Sequence, residues 1–126
     1  MNDKRNTLYL AMVKLAATLK PQAVVLENVP GMLQTNGGIG AKRIIEDFAE
    51  IGYKMTPKLL YAPDYGIPQI RKRVFFVGLR DSETAFEFPE PFVDSKDYVT
   101  CEDAISDLPS LQTFDGEIVY GEEIQE

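Results

Sequence analysis

Two short apolar runs, each with ionisable residues at one end, constrain this chain more than anything else in it. Ala23-Val24-Val25-Leu26 closes on Glu27-Asn28-Val29, and Val74-Phe75-Phe76-Val77 is preceded by Gln69-Ile70-Arg71-Lys72-Arg73. Runs of this length, rich in β-branched and aromatic residues, read as sheet-core strands. The stretch from Gln22 to Asn28 reads as a strand buried on both faces, and therefore parallel. Helical periodicity falls between and around the runs. Leu8, Met12, Leu15 and Leu19 lie at i, i+4, i+7 and i+11, and Ile44, Phe48 and Ile51 mark a second helix with Gly52 just past its end. Tyr53 to Tyr61 forms a strand that Pro57 assigns to a sheet edge. Alternation of strand and helix indicates an α/β sheet of about three strands.

The remainder is less regular. Gln34 to Gly40 reads as a loop without a G-x-G-x-x-G phosphate fingerprint, and Pro63 to Pro68 as another. Pro89-Glu90-Pro91 marks a linker. Thr100 is placed to cap a short helix through Ile105, with Asp103 as the acid of a capping box. Residues 110–126 lack sustained periodicity and are expected to hold little regular structure. The expected organisation is a globular part at 1–80 and an acidic linker or tail at 81–126.

Charge follows the same division. The net charge is −7, yet residues 1–80 carry twelve Lys/Arg against six Asp/Glu, whereas residues 81–126 carry Lys96 alone against fourteen acids. The first part could face phosphates and the second could not, although an ordinary solvated surface has the same composition. One cysteine and no histidine exclude a disulfide framework within the chain and argue against a zinc site, so a reducing cytoplasm is expected. No apolar run approaches the ~20 residues of a membrane helix, and the N-terminus opens no secretory signal.

An acid and two guanidinium groups at strand ends can grip a polar planar heterocycle. If residues 70–73 are extended, Arg71 and Arg73 share one face and Lys72 points to the other. A carboxylate at the end of an apolar strand, as at Glu27, costs free energy unless partnered. Each has a plainer alternative: Glu27 as a strand terminator, Asn28 fixing the turn into Pro30, the arginines as an exposed basic turn.

The order Asp3-x-Arg5-Asn6-x-Leu8, then Glu27-Asn28-Val29, then Gln69-x-Arg71-x-Arg73, with Tyr61-Ala62-Pro63-Asp64-Tyr65-Gly66-Ile67-Pro68 leading into the last, resembles the middle of a DNA cytosine-5 methyltransferase. The resemblance covers about the first eighty residues and continues weakly to Pro109. It implies part of a doubly wound, Rossmann-like α/β sheet whose last strand is antiparallel. It also implies methyl transfer from S-adenosylmethionine to cytosine in double-stranded DNA, with base flipping.

By resemblance, Glu27 meets the Watson–Crick edge of the flipped cytosine, Arg73 its O2, and Arg71 braces the loop that carries the nucleophile. Gln69 and Asn28 support that region, while Asn6 and Leu8 border the methyl-donor pocket. The sequence carries neither the family's Phe-x-Gly-x-Gly donor loop nor its Pro-Cys nucleophile. Cys101 has no preceding proline and reads as a small, buried hydrophobe. A fragment inactive by itself is therefore expected. The alternative is the non-catalytic half of a split enzyme or a truncated relic, which associates with itself or with a complementary half.

Overall fold

The computed structural model describes residues 8–108, together with the backbone of two short strands beyond them. The chain divides into two compact units, residues 1–61 with 71–91 and residues 62–70 with 92–126.

The first unit begins with helix α1, Tyr9–Leu19, which ends where Lys20 turns left-handed (φ 48°) and donates its backbone N–H to the Ala16 carbonyl. Strand β1, Ala23–Asn28, follows, then 3-10 turns in the segment expected as loop, then helix α2, Ile39–Glu50. Helix α2 forms because Ala41, Ile44 and Phe48 fall on one face, and all three are buried. It ends at Gly52, whose φ of 86° suits a residue without Cβ, and strand β2 runs from Tyr53 to Tyr61. Strand β3, Lys72–Arg80, closes the sheet.

The sheet order is β1-β3-β2. Strand β3 runs antiparallel to both neighbours, from Ala23↔Leu79 to Asn28↔Val74 on one side and from Tyr53↔Arg80 to Tyr61↔Lys72 on the other. The antiparallel last strand agrees with expectation. The outer strands thus share a direction without touching. Among the described residues Pro57 lies on an edge strand, where a missing ladder donor is tolerated.

Strand β1 departs from its reading as a strand buried on both faces with parallel neighbours. Among the described residues it pairs with β3 alone, and Ala23, Val25 and Glu27 are exposed. An apolar run specifies a strand but not the direction of its neighbour, which the chain path decides.

One sheet face packs on the helices. Val24, Met55, Val74 and Phe76 meet Ala16, Ile44 and Phe48, with Tyr53 packed edge-on to Phe48 and donating its hydroxyl to the Pro21 carbonyl at 2.6 Å. Gly78 lies between Val24 and Met55, where a Cβ would fall 2.3 Å from Met55 Sδ and 2.8 Å from Val24 Cγ2. On the opposite face, Phe86 donates its N–H to Thr56 Oγ1, and the Lys58 ammonium lies 5.8 Å from the Phe88 ring.

Helix α1 inverts the expected burial. Its buried residue is Ala16, while Leu8, Leu15 and Leu19 are half or more exposed and Met12 is exposed as well. The stripe is real as a helical period but remains largely exposed in this unit.

In the second unit, the turn Ala62–Tyr65 is tied to the segment after Pro91. The Asp64 carbonyl accepts the N–H groups of Phe92 and Val93, and its carboxylate accepts the Tyr98 hydroxyl. Helix α3 spans Cys101–Ile105 as the capping signal predicts. The Thr100 hydroxyl accepts the Asp103 N–H, and the Asp103 carboxylate accepts the Thr100 N–H. Cys101 is exposed rather than buried, its thiol 3.0 Å from the Pro68 carbonyl, because a helix of five residues has no covered face to receive it. Strands β4, Gln112–Phe114, and β5, Glu117–Val119, pair antiparallel where little regular structure is expected. The missed signal is Asp115-Gly116 between them, a dipeptide that favours two-residue hairpin loops.

Candidate functional site

The site is built on the face of β1 that turns away from the helices. Because Val24 and Leu26 turn inward, Val25 and Glu27 turn to the opposite face. Glu27 stands opposite Phe75, so Arg73 is its diagonal neighbour on that face, within reach of a long side chain. Arg73 Nε lies 2.7 Å from Glu27 Oε1, and a terminal guanidinium nitrogen of Arg73 also donates to the Lys72 carbonyl at 2.8 Å. The Glu27 side chain is 45% exposed and that of Arg73 24%, so solvent screens the pair and its stabilisation is about 1 kcal/mol or less. Its value lies in orientation: a carboxylate acceptor and a planar donor fork stand side by side, open to solvent.

Lys72 points the other way, its ammonium 5.2 Å from the Tyr61 ring centroid. Arg71 precedes the first residue of β3 and is exposed.

A groove of about 320 Å³ runs along the same strand. Four consecutive β1 residues, Val25, Leu26, Glu27 and Asn28, line one side of it. Leu8, Tyr9 and Met12, where α1 begins, line another, and Met32, Ile44 and Phe76 complete it. Tyr9, Glu27 and Asn28 are the polar residues of its lining, and the others are apolar. The Asn28 carboxamide oxygen accepts the Val29 N–H at 2.8 Å, holding the strand end where the chain turns into Pro30.

Tyr9, which carries no motif signal in the sequence, also lines the groove. Its hydroxyl donates to Asp47 Oδ2 at 2.6 Å, tying the first turn of α1 to α2. Burial, then the hydrogen bond to Asp47 and that residue's negative charge, push the Tyr9 pKa up to about 12. Position was the available signal: a tyrosine in the first turn of an amphipathic helix needs a partner for its hydroxyl when its ring is half-buried.

The structure therefore brings Leu8, Glu27 and Asn28 to one groove and Arg73 to Glu27. Gln69 belongs to the second unit, where its N–H donates to the Ile67 carbonyl at 2.7 Å. Asn6 lies outside the described residues. Among the described residues no three His, Cys, Asp or Glu side chains converge to hold a metal, and no helix is long and apolar enough to cross a membrane.

Comparison with known proteins gives one answer. Residues 1–123 match the family described as C-5 cytosine-specific DNA methylase. The chain is 42% identical over 113 residues to the Type II methyltransferase M.BspRI of Lysinibacillus sphaericus, with 86% of this chain and 27% of the relative covered. It is 44% identical over 109 residues to M.MthTI of Methanothermobacter thermautotrophicus, covering 86% and 32%. A crystal structure of a DNA modification methyltransferase encoded within an E. coli prophage superposes with a TM-score of 0.68 at 32% identity, covering 86% of this chain and 32% of the other. The chain thus spans about a third of the length of the relatives it matches. The motifs, the α/β sheet with its antiparallel third strand and these matches converge: the chain belongs to the C-5 cytosine-specific DNA methylase family.

Proposed function

We propose that this chain is the base-binding part of a DNA cytosine-5 methyltransferase of the restriction–modification type, acting in the cytoplasm on double-stranded DNA. The observation that carries the reading is the Glu27–Arg73 pair at 2.7 Å, at the end of a strand that also lines an apolar groove. In cytosine, the ring nitrogen N3 lies next to C2, which bears the exocyclic oxygen O2. A carboxyl group and a guanidinium fork set side by side match them, Glu27 sharing a proton with the ring nitrogen and Arg73 donating to O2. Proton sharing at N3 withdraws electrons from the ring and makes C6 receptive to a nucleophile. Arg71 and Gln69 would brace the adjoining loop, and Asn28 would hold the strand end.

The residues present fit part of a donor pocket. Leu8 and Met12 offer an apolar wall suited to an adenine face, with Asn6 next to it in sequence. S-adenosylmethionine, when bound, supplies the electrophilic methyl group. A glycine loop and a Pro-Cys nucleophile have to come from the rest of the methyltransferase fold. Residues 81–126 would lead from the catalytic part at 1–80 toward a target-recognition part.

Exposure of the α1 stripe favours a second reading beside this one, a non-catalytic assembly module that acts through association alone.

A chimaera tests the catalytic reading. The matched segment of M.BspRI is replaced by this chain, and transfer of labelled methyl groups to DNA is measured. Transfer is expected, and Glu27→Gln is expected to slow it by about 10²–10⁴-fold, the usual cost of losing a positioned acid–base group, with DNA affinity kept. Absence of transfer by the unsubstituted chimaera, or full activity of the Gln variant, would refute the role of Glu27.

A further inference from the structure

Residues 62–71 join β2 to β3, and the ladder between those strands closes at Tyr61↔Lys72. Arg71 therefore stands just outside the ladder and Gln69 before it, so strand pairing fixes neither. A bracing group has to be held in one place, which here requires the loop itself to be held in one shape. Within the second unit that shape is fastened at Asp64. Its carbonyl accepts the N–H of Phe92 at 3.1 Å and of Val93 at 3.2 Å, and its carboxylate accepts the Tyr98 hydroxyl. The turn around it is closed by Gly66, at a φ of 75°, donating to the Pro63 carbonyl at 3.0 Å, and by Ile67 donating to the Ala62 carbonyl at 3.3 Å. The rings of Tyr65 and Phe92 meet edge-on at 6.1 Å, yet Phe92 is 74% exposed, so burial adds little there. Polar contacts to Asp64 do the fastening, and the one from the Tyr98 hydroxyl is charge-assisted.

We infer that Asp64 is a positioning residue, with Tyr98 as its partner: it clasps the loop to the segment at 92–98 and so fixes the backbone that presents Gln69 and Arg71. The inference rests on the methyltransferase reading for what those two residues brace, and not for the clasp itself. A second contact lies one residue before Gln69, where the Cys101 thiol donates to the Pro68 carbonyl at 3.0 Å. Gln69 in turn donates its N–H to the Ile67 carbonyl at 2.7 Å, a bond made inside the clasped loop. Release of the Asp64 end returns conformational freedom to this backbone. The β2–β3 ladder has its own backbone pairs, from Tyr53↔Arg80 to Tyr61↔Lys72, and Arg73 lies inside it opposite Leu60. Loss of the clasp therefore loosens Gln69 and Arg71 and leaves Arg73 in place.

Tyr98→Phe tests the clasp, because it removes the hydroxyl and keeps the ring. Hydrogen exchange on the full chain is expected to speed up at the Gln69 amide by at least about fivefold, while the amides of Val74 to Val77 keep their rates. Unchanged exchange at Gln69 would overturn the proposal. So would an equal rise from Val74 to Val77, which would make the contact a general support of the fold. In the M.BspRI chimaera, Tyr98→Phe is expected to lower kcat by about 10–100-fold, the cost of a slightly misplaced group. KM for DNA should stay unchanged, and base extrusion, read by the fluorescence of 2-aminopurine at the target position, should be kept. Asp64→Ala is expected to match that loss, the double variant to add nothing to it, and Asp64→Asn, which keeps an acceptor, to restore most of the rate. Additive losses would overturn the partnership of Asp64 with Tyr98. Faster exchange at Gln69 with kcat intact upholds the clasp and sinks the bracing role. A chimaera inactive before any substitution sinks the methyltransferase reading of the site, and the exchange result then decides the clasp alone.

Discussion

Two side-chain contacts carry opposite kinds of information. The Glu27–Arg73 pair is half-open and adds little to stability. In the M.BspRI chimaera, Arg73→Ala is expected to reduce methyl transfer and base extrusion together, while Lys72→Ala leaves both within about twofold. Fluorescence of 2-aminopurine at the target position reports extrusion. Equal losses from the two substitutions would mean that the stretch acts as a phosphate patch, because only Arg73 stands on the face of Glu27. The Tyr9–Asp47 contact is structural. Its folded-state pKa of about 12 lies above the ordinary tyrosine value of 10.0, so the folded state holds the proton more tightly than the unfolded chain. Its stabilisation is fully present below pH 10 and is lost as pH rises through 12. Tyr9→Phe should cost about 1 kcal/mol at neutral pH, one hydrogen bond to a charged acceptor, and should flatten the alkaline fall in stability that denaturant titrations record between those limits.

At the scale of elements, the pairing of β1 and β2 on either side of β3 depends on Gly78. Its neighbours Val24 and Met55 close over the position a side chain would occupy. Gly78→Ala is expected to destabilise the chain by about 1–3 kcal/mol, the usual cost of overpacking a tight interior, measured as a shift of the urea midpoint with an unchanged slope. An unchanged midpoint would show that Met55 can move aside freely. Local sequence patterns located α1, α2 and the three strands β1 to β3, because a helical period or a short apolar run is a local property, and they missed β4 and β5. They misjudged the surroundings of α1. A stripe of leucines states that a face will be covered, without stating which part of a protein covers it.

For the whole molecule, burial in the first unit is one-sided: α2 is anchored by three core residues and α1 by Ala16. The isolated polypeptide is expected to transfer no methyl group to DNA, since no glycine loop or Pro-Cys pair occurs in it. Incubation with labelled S-adenosylmethionine and a cytosine-rich duplex checks this. Incorporation that Cys101→Ser abolishes would show that the exposed cysteine is a nucleophile after all. The sequence by itself determined the α/β character, the edge position of β2 through Pro57, the capping box of α3 and the family motifs. Each depends on a residue's own chemistry or on neighbours a few positions away. Tertiary structure alone decided that β3 lies between β1 and β2, that Arg73 meets Glu27, that Tyr9 reaches Asp47 and that Gly78 has no room for a Cβ. All four join residues tens of positions apart, and such contacts follow from how the chain packs, which no local pattern encodes.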